Sequence, residues 1–517
     1  MAAFPLDSSS PTYLHLLQNA TLISLALSVI PLGTFIAIAS LTVAPFTQRS
    51  KHIAHHRKWR TISSATFRPR TVLITGVGNS KGLALARTFY RGGHNVIGAD
   101  FEPHRIPVCG RYSRALHRFY RLAHYVTTPE YARQLMGIVQ KEGVELWVSC
   151  LEDVSAIVDA DVAELVESNT ECKTVQFSPS LTDISYEKDA FLEKARGLEL
   201  NFQETVVVTS VTEALVILSS ATTSGKRYTM KNLGGEDADE NVLPLATAME
   251  TQQHVRRLKP SPFRPLVLQQ YLSGPTFRTH SLIVASRVQA FVASPSTNQN
   301  QTYTALPASS AISQALLLYE QTYVREMGAD LTGHVAFEFV VDGDIDAERM
   351  MKSGIPGTEV RELMKLVYPV SCTSRPGMGI LLLGPQAEDL AEAYLNILPD
   401  HDEPRGIANG HHLEKIITPV PGTPTYYWIG HDLFALFVLP LLNFLRLELG
   451  IRDLLAAWFL FIEHIIYGHE ALWEFWDPWP ALAFYLLYLP LNMLHCIYAR
   501  NWWAWCDLGN GYLMPPT

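Results

Sequence analysis

Apolar and polar positions divide the 517-residue chain into four unlike stretches. From Ser8 to Gln48 there is no Asp, Glu, Lys or Arg, and Ala20 to Pro45 is almost wholly apolar. That is long enough to cross a hydrocarbon core of about 30 Å, with Pro31 predicting a kink that membrane helices tolerate. From Thr71 to about Ser178, short apolar runs alternate with helical periodicity. Thr71–Thr75 predicts a buried strand, Gly76–Gly82 a turn, Leu83–Tyr90 a helix, and Asn95–Asp100, Leu146–Cys150 and Thr174–Phe177 further strands. Strands alternating with helices predict a parallel, Rossmann-like sheet over 71–182. From Asp183 to about 400 the pattern becomes α+β. Strands are expected at Tyr228–Lys231, Leu266–Tyr271, Thr279–Ala285, Val288–Ala293 and Val335–Val341, the last interrupted only by Glu338. The final stretch, 424–517, holds eight of the ten tryptophans and three apolar runs, Leu433–Leu445, Leu454–Tyr467 and Trp479–Tyr498. Only the third is long enough to span a bilayer, and tryptophan near the ends of apolar runs suits a bilayer interface. The alternative for this region is a helical appendage packed on the rest of the chain.

Charge adds an orientation. Arg49, Lys51, Arg57, Lys58 and Arg60 follow the uncharged run, with His52, His55 and His56 among them. This basic linker, 49–70, predicts a membrane anchor over 1–48 with the remainder of the chain cytosolic. A cleaved signal peptide is the competing reading, because Ala37-Ile38-Ala39 imitates a cleavage site. Against it stand the missing positive charge before the run and the length of the run. Overall, 48% of residues are apolar and 18% charged, which excludes a largely disordered chain. The net charge of −9 forms no basic stripe, so nucleic acid is not an expected partner. Six cysteines without CxxC spacing predict reduced thiols rather than a disulfide framework.

Two sets of residues carry candidate chemistry. Gly76-x-Gly78-xxx-Gly82 after a strand, with Asp100 ending the next, imitates a dinucleotide fingerprint. Its last spacing is one residue too long for GxGxxG, and no YxxxK occurs in the chain. A nicotinamide oxidoreductase is therefore a minor alternative. The second set is dispersed but ordered. Lys188 opens a helix, and Lys231 ends a strand before the loop containing Gly234 and Gly235. Leu268-Gln269-Gln270-Tyr271-Leu272 leads to a turn at Gly274, Glu338 sits on a strand, and Arg375 follows Cys372-Thr373-Ser374. Lysines beside a glycine-containing loop suit a polyphosphate, since backbone N–H groups approach and the ammonium supplies charge.

In this order the residues resemble the ATP-grasp superfamily, specifically carbamoyl-phosphate-synthase-like members from fungal secondary-metabolite clusters. The resemblance runs from about Thr71 to Leu383, and Tyr426–Asp432 also looks like that subgroup. It implies a Rossmann-like preATP-grasp domain over 71–182 and a two-lobed ATP-grasp domain over 183–400. Lys188 and Lys231 would contact phosphates, and Gly234-Gly235 would be the lid. Gln269, Gln270, Tyr271 and Leu272 would hold adenine and ribose. Glu338 would be the first metal carboxylate and Arg375 would stabilise an acyl phosphate. The implied activity joins a small carboxylic acid to an amine, or a thiol, with ATP and Mg²⁺, for which Mn²⁺ is a substitute. The chain departs from the family pattern at Ser371 and Thr373, where the family has Glu and Asn as magnesium ligands. That departure makes a catalytically impaired membrane scaffold the second expectation.

Overall fold

The computed structural model describes residues 12–43, 67–123, 127–186, 200–232, 241–296, 302–327, 331–343, 347–354, 356–399, 416–499, 505–507 and 512–514. An uncharged helix, α1 (Thr12–Val43), contains Pro31. The basic cluster 49–60, Lys188 and the Gly234-Gly235 loop lie outside the described residues.

The expected parallel sheet is present. Strands β1 (Thr71–Thr75), β2 (Asn95–Phe101), β3 (Arg118–Leu122), β4 (Leu146–Ser149) and β5 (Lys173–Thr174) lie in the order β3-β2-β1-β4-β5, all parallel. Val72, Leu73 and Ile74 are fully buried, because helices cover both faces of such a sheet and select an unbroken apolar run. The crossover helices are α2 (Ser80–Arg91), α3 (Thr128–Glu142) and α4 (Ala156–Asn169). Asn79 caps α2 by accepting from the Gly82 N–H at 2.8 Å. The fifth strand covers two residues rather than the expected Thr174–Phe177. The edge strand β3 was not expected, because an edge tolerates Arg118 and Arg121 and so loses the apolar signal.

Two antiparallel sheets follow. In one, β6 (Thr205–Val208), β7 (Tyr228–Asn232) and β8 (Leu266–Gln270) are ordered β6-β8-β7. Helices α5 (Val211–Ser224) and α6 (Ala248–Leu258) bury Tyr228, Met230, Leu266 and Leu268 on one face of it. In the other, β9 (Thr276–Val284), β10 (Arg287–Pro295), β11 (Gly333–Val341) and β12 (Val367–Thr373) are ordered β10-β9-β11-β12. One face packs on α7 (Ala311–Met327) through Phe277, Phe337 and Phe339. Strand β12 was missed in the sequence because Pro369 interrupts its pattern, which an edge position beside a bulge accommodates.

The C-terminal region is more than an appendage. The largest core cluster among the described residues joins Val72 and Ile74 of the parallel sheet and Leu85 of α2 to Leu282 and Val292 of the second antiparallel sheet. It also takes in Tyr394 of α8 (Ala387–Leu395), Trp428, Trp476 and Phe484. Trp428 and Trp476 are thus core residues rather than interfacial ones, against the bilayer expectation for the tryptophans as a group. Helices α9 (Ile451–Tyr467) and α10 (Trp479–Tyr498) complete the region. Among the described residues, Cys109, Cys150, Cys172, Cys372 and Cys496 are free thiols.

Candidate functional site

The three-stranded sheet turns one face to its helices, and among the described residues its other face is only partly covered, with Val207 exposed. Cross-strand partners share a face, so Thr205, Thr229 and Gln269 form one row and Val207, Lys231 and Val267 the next. Lys231 is half-buried and has no ion-pair partner among the described residues. Gln269 is oriented by its Nε2 donating to Gln203 Oε1 at 2.7 Å. Gln203 in turn donates from Nε2 to the Gln270 carbonyl at 2.9 Å. Gln270 is buried on the opposite face, its Oε1 accepting from the Glu204 N–H at 3.2 Å. Of the two glutamines named from the sequence, only Gln269 shares the face of Lys231. Tyr271 and Leu272 begin the segment leaving β8, and the Arg227 guanidinium lies 5.1 Å from the Tyr271 ring centroid. That segment docks on the end of β11: the Ser273 N–H donates to Asp342 Oδ1 at 3.1 Å. A side chain at Gly274 would place Cβ 1.9 Å from the Val341 carbonyl, so the two sheets approach as closely as glycine permits.

Glu338 is brought opposite Ser371 on β12 and Arg278 on β9. Its Oε1 accepts from Nε and Nη2 of Arg278, each at 3.2 Å, and from Ser296 Oγ at 3.0 Å. Arg278 lies just before the strand start read from the sequence and was missed. Its signal is visible only once β9 and β11 are in register. Ser371 and Thr373 are exposed on the neighbouring edge strand. Among the described residues no three His, Cys, Asp or Glu side chains converge as a metal site. One carboxylate already paired with a guanidinium, beside hydroxyls, does not make a magnesium site, because Mg²⁺ demands several oxygens in octahedral array.

Arg375 is turned toward the parallel sheet. Its guanidinium donates to the carbonyls of Leu151 and Val154 and reaches Asp159 Oδ2 at 3.3 Å. Burial pushes the Asp159 carboxyl up to about 6 against the opposing pull of Arg375. Arg375 therefore ties β12 to the loop after β4, which also lines a cleft.

That cleft lies at the carboxyl ends of β1, β2 and β4, where strand order reverses and open α/β sheets take ligands. It is small, about 30 Å³ in cavity volume, and is lined by Gly76, Gly78, Asn79, Asp100, Phe101, Pro103, Val108, Leu151, Glu152, Asp153 and Tyr488. Asp100 is pushed up to about 7 by burial, while its oxygens accept from the Gly78 N–H at 2.6 Å and the Phe101 N–H at 2.7 Å. Lys81 is buried against Glu152. The glycines have packing roles: Gly76 has φ +81°, and a Cβ there would lie 2.5 Å from the Cys150 carbonyl carbon. Asp100 spends both oxygens on its own loop and Asn79 caps the helix, so neither is left for a ribose or a pyrophosphate. The dinucleotide reading loses its support. Tyr488 comes from α10, more than three hundred residues away, and no local pattern marks it.

No protein-family profile matches the chain, and no curated protein sequence does. Solved structures of similar course include Staphylococcus aureus N5-carboxyaminoimidazole synthetase complexed with ADP, at 16% identity and TM-score 0.38, covering 60% of this chain and 71% of that one. Another is the biotin carboxylase domain of Hydrogenobacter thermophilus 2-oxoglutarate carboxylase with MgADP and bicarbonate. It shows 11% identity and TM-score 0.42, covering 66% of this chain and 72% of that one. Phosphoribosylglycinamide synthetase from Anaerococcus prevotii gives 14% identity and TM-score 0.42, covering 64% and 76%.

Proposed function

We propose that this chain is an ATP-dependent ligase of the ATP-grasp type. It would join a small carboxylic acid to an amine, or a thiol, through an acyl phosphate, in secondary-metabolite biosynthesis. The observation that carries the reading is the open face of β6-β8-β7. A half-buried Lys231, without an ion-pair partner among the described residues, stands there two positions along β7 from the row holding an oriented Gln269, and the segment after β8 closes directly onto β11. A half-buried lysine with no carboxylate partner among the described residues suits the phosphates of a nucleotide, and Gln269 with Tyr271 and Leu272 suits its base. Lys188 and the Gly234-Gly235 loop would complete the phosphate contacts.

In the proposed reaction a carboxylate oxygen attacks the γ-phosphorus and ADP departs. The amine then attacks the acyl carbon and releases phosphate. Positioning and charge neutralisation dominate such transfers, and Lys231 supplies both at the nucleotide. Arg375 holds the cleft loop against β12, so that an acceptor over Gly76 and Asp100 meets the acyl group at the sheet boundary. Magnesium enters with the nucleotide in this reading, since no protein ligands assemble a site among the described residues. In this reading the chain would attach to a membrane through α1 and its C-terminal helices, with the sheets in the cytosol.

Phosphate release from ATP, screened over carboxylic acids in the presence of amines and thiols, tests the reading. Release that requires an acid and one co-substrate is expected. Silence across the screen with ATP still bound would favour the second reading, a nucleotide-binding scaffold, for which the Arg278–Glu338 pair and Ser371 argue. Ser371→Glu places a carboxylate opposite Glu338 and is expected to lower the Mg²⁺ concentration needed for half-maximal ATP binding, read by calorimetry.

A further inference from the structure

Helix α10 is long and apolar enough to cross a bilayer, yet its packing forbids a crossing. Its start, Trp479–Ala483, packs on Cys109–Tyr112, and Tyr488 lines the cleft beside Pro103 and Val108. Toward its end, His495 stacks on His104 with 3.6 Å between ring centroids. Trp479 and His495 are 16 positions apart, about 24 Å at 1.5 Å per residue. The helix therefore follows one loop of the parallel-sheet region for nearly its whole length. That loop carries exposed charged side chains, which cannot accompany a helix through hydrocarbon. The exposed apolar side chains of α10, Leu491, Leu494, Ile497 and Tyr498, lie on a single flank by helical spacing. Such a helix lies flat along its own domain with an apolar flank turned outward.

The loop that α10 follows is rich in arginine. Arg105 adjoins His104, Arg111 lies in the segment packed on Trp479–Ala483, and Arg114 Nη1 donates to the Trp476 carbonyl at 3.1 Å. Arg121, on the edge strand β3, shares Glu102 with Arg111. Arg111 Nη1 donates to the two Glu102 oxygens at 3.1 and 3.0 Å, and Arg121 Nε lies 3.7 Å from Oε2. Glu102 is buried, whereas all four arginines are exposed. One carboxylate thus answers two guanidinium groups, and Arg105 and Arg114 form no ion pair among the described residues. Asp100 is held by the N–H groups of Gly78 and Phe101, and Asp153 lines the cleft. Helix α1, without Asp, Glu, Lys or Arg over 32 residues, packs on Phe484–Tyr498 and extends the apolar surface. An uncharged surface of that extent does not suit an acidic protein, whereas arginines beside an apolar flank suit phosphate head groups above acyl chains.

We propose that α10 lies in the plane of a membrane surface and that Arg105, Arg111, Arg114 and Arg121 bind the phosphate groups of anionic phospholipids there. This rests on the membrane attachment proposed above and is independent of the ligase chemistry.

Two measurements on the full-length protein test it. The first is flotation with phosphatidylcholine vesicles, with and without phosphatidylserine. Tighter binding to the phosphatidylserine vesicles is expected, with the gain lost as salt is raised. Arg105→Gln is expected to weaken binding to those vesicles about fivefold, at unchanged Tm and unchanged binding to phosphatidylcholine alone. Arg105→Lys, which keeps the charge, should bind as wild type does. Equal binding to both vesicles, or an Arg105→Gln protein that binds like wild type, overturns the arginine assignment and leaves membrane attachment standing. Binding to neither overturns both. Salt-sensitive self-association without vesicles, lost in Arg105→Gln, overturns the lipid assignment in favour of a second copy of the chain. The second measurement reads orientation. Leu491→Cys and Tyr498→Cys are each labelled with a nitrobenzoxadiazole fluorophore, beside labelled wild type as background. Nitroxide groups at the lipid head and along the acyl chain are expected to place both positions at the same depth. A difference near about 10 Å, the rise of the seven residues between them, shows a crossing helix and overturns the in-plane placement.

Discussion

At the scale of single residues, the site contrasts groups already satisfied with groups left waiting. Lys231 has no carboxylate partner among the described residues, so its removal costs the fold little and the ligand much. Lys231→Ala is expected to weaken ATP binding at least about tenfold, or about 1.4 kcal/mol, with an unchanged Tm. Unchanged affinity by calorimetry would move the nucleotide elsewhere. Glu320 is the opposite case: fully buried behind β9, it accepts from the hydroxyls of Thr279 and Ser281, and burial pushes its carboxyl up to about 7. The folded state then keeps a proton that the unfolded chain releases from about 4.5 upward, so stability falls as pH rises between those values and levels off above. Glu320→Gln should therefore differ little from wild type near pH 5 and be more stable at pH 8 by up to about 3 kcal/mol. Thermal unfolding at the two pH values checks this; a gain of equal size at both would mean that Glu320 does not titrate.

At the scale of elements, one buried ion pair fastens the C-terminal region to the parallel sheet. Asp477 is fully buried and accepts from Arg87 Nε at 3.0 Å, Ser113 Oγ at 2.6 Å and the Arg114 N–H at 2.8 Å. Arg87 Nη2 also donates to the Leu472 carbonyl at 2.8 Å. Removing one partner of such a pair strands the other charge in a low-dielectric interior, which costs about 3–5 kcal/mol. Asp477→Ala is thus expected to lower the Tm and to expose the chain between α9 and α10 to limited proteolysis. An unaltered cleavage pattern would show that the apolar contacts of Trp428 and Trp476 suffice. The same pairing explains why the helix over Ser80–Arg91 was legible and its destination was not: its helical spacing is local, whereas Arg87 meets a residue 390 positions away.

At the scale of the whole molecule, membrane attachment is expected to be shared between the two ends of the chain. Protein lacking residues 1–48 should still float with vesicles through α9 and α10, at a smaller fraction than the full chain. Complete loss of flotation would leave α1 as the sole anchor, and protection of residues 200–375 from protease in sealed microsomes would reverse the orientation. The sequence by itself determined the β/α alternation after Thr71, because strands buried on both faces must be apolar throughout. It also determined the uncharged opening segment and the placement of Lys231 and Glu338 on strands, since those properties are local. Tertiary structure alone decided that Arg278 faces Glu338, that Arg375 turns to the carbonyls of Leu151 and Val154, and that Trp428 and Trp476 enter the core. It alone brought Tyr488 to a cleft opened by Gly76. The physical reason is that a period of two or 3.6 residues reports that a face is covered but not by what. Which charge answers which, and which aromatic is core rather than interface, follow from strand register and chain crossing, which act over hundreds of residues.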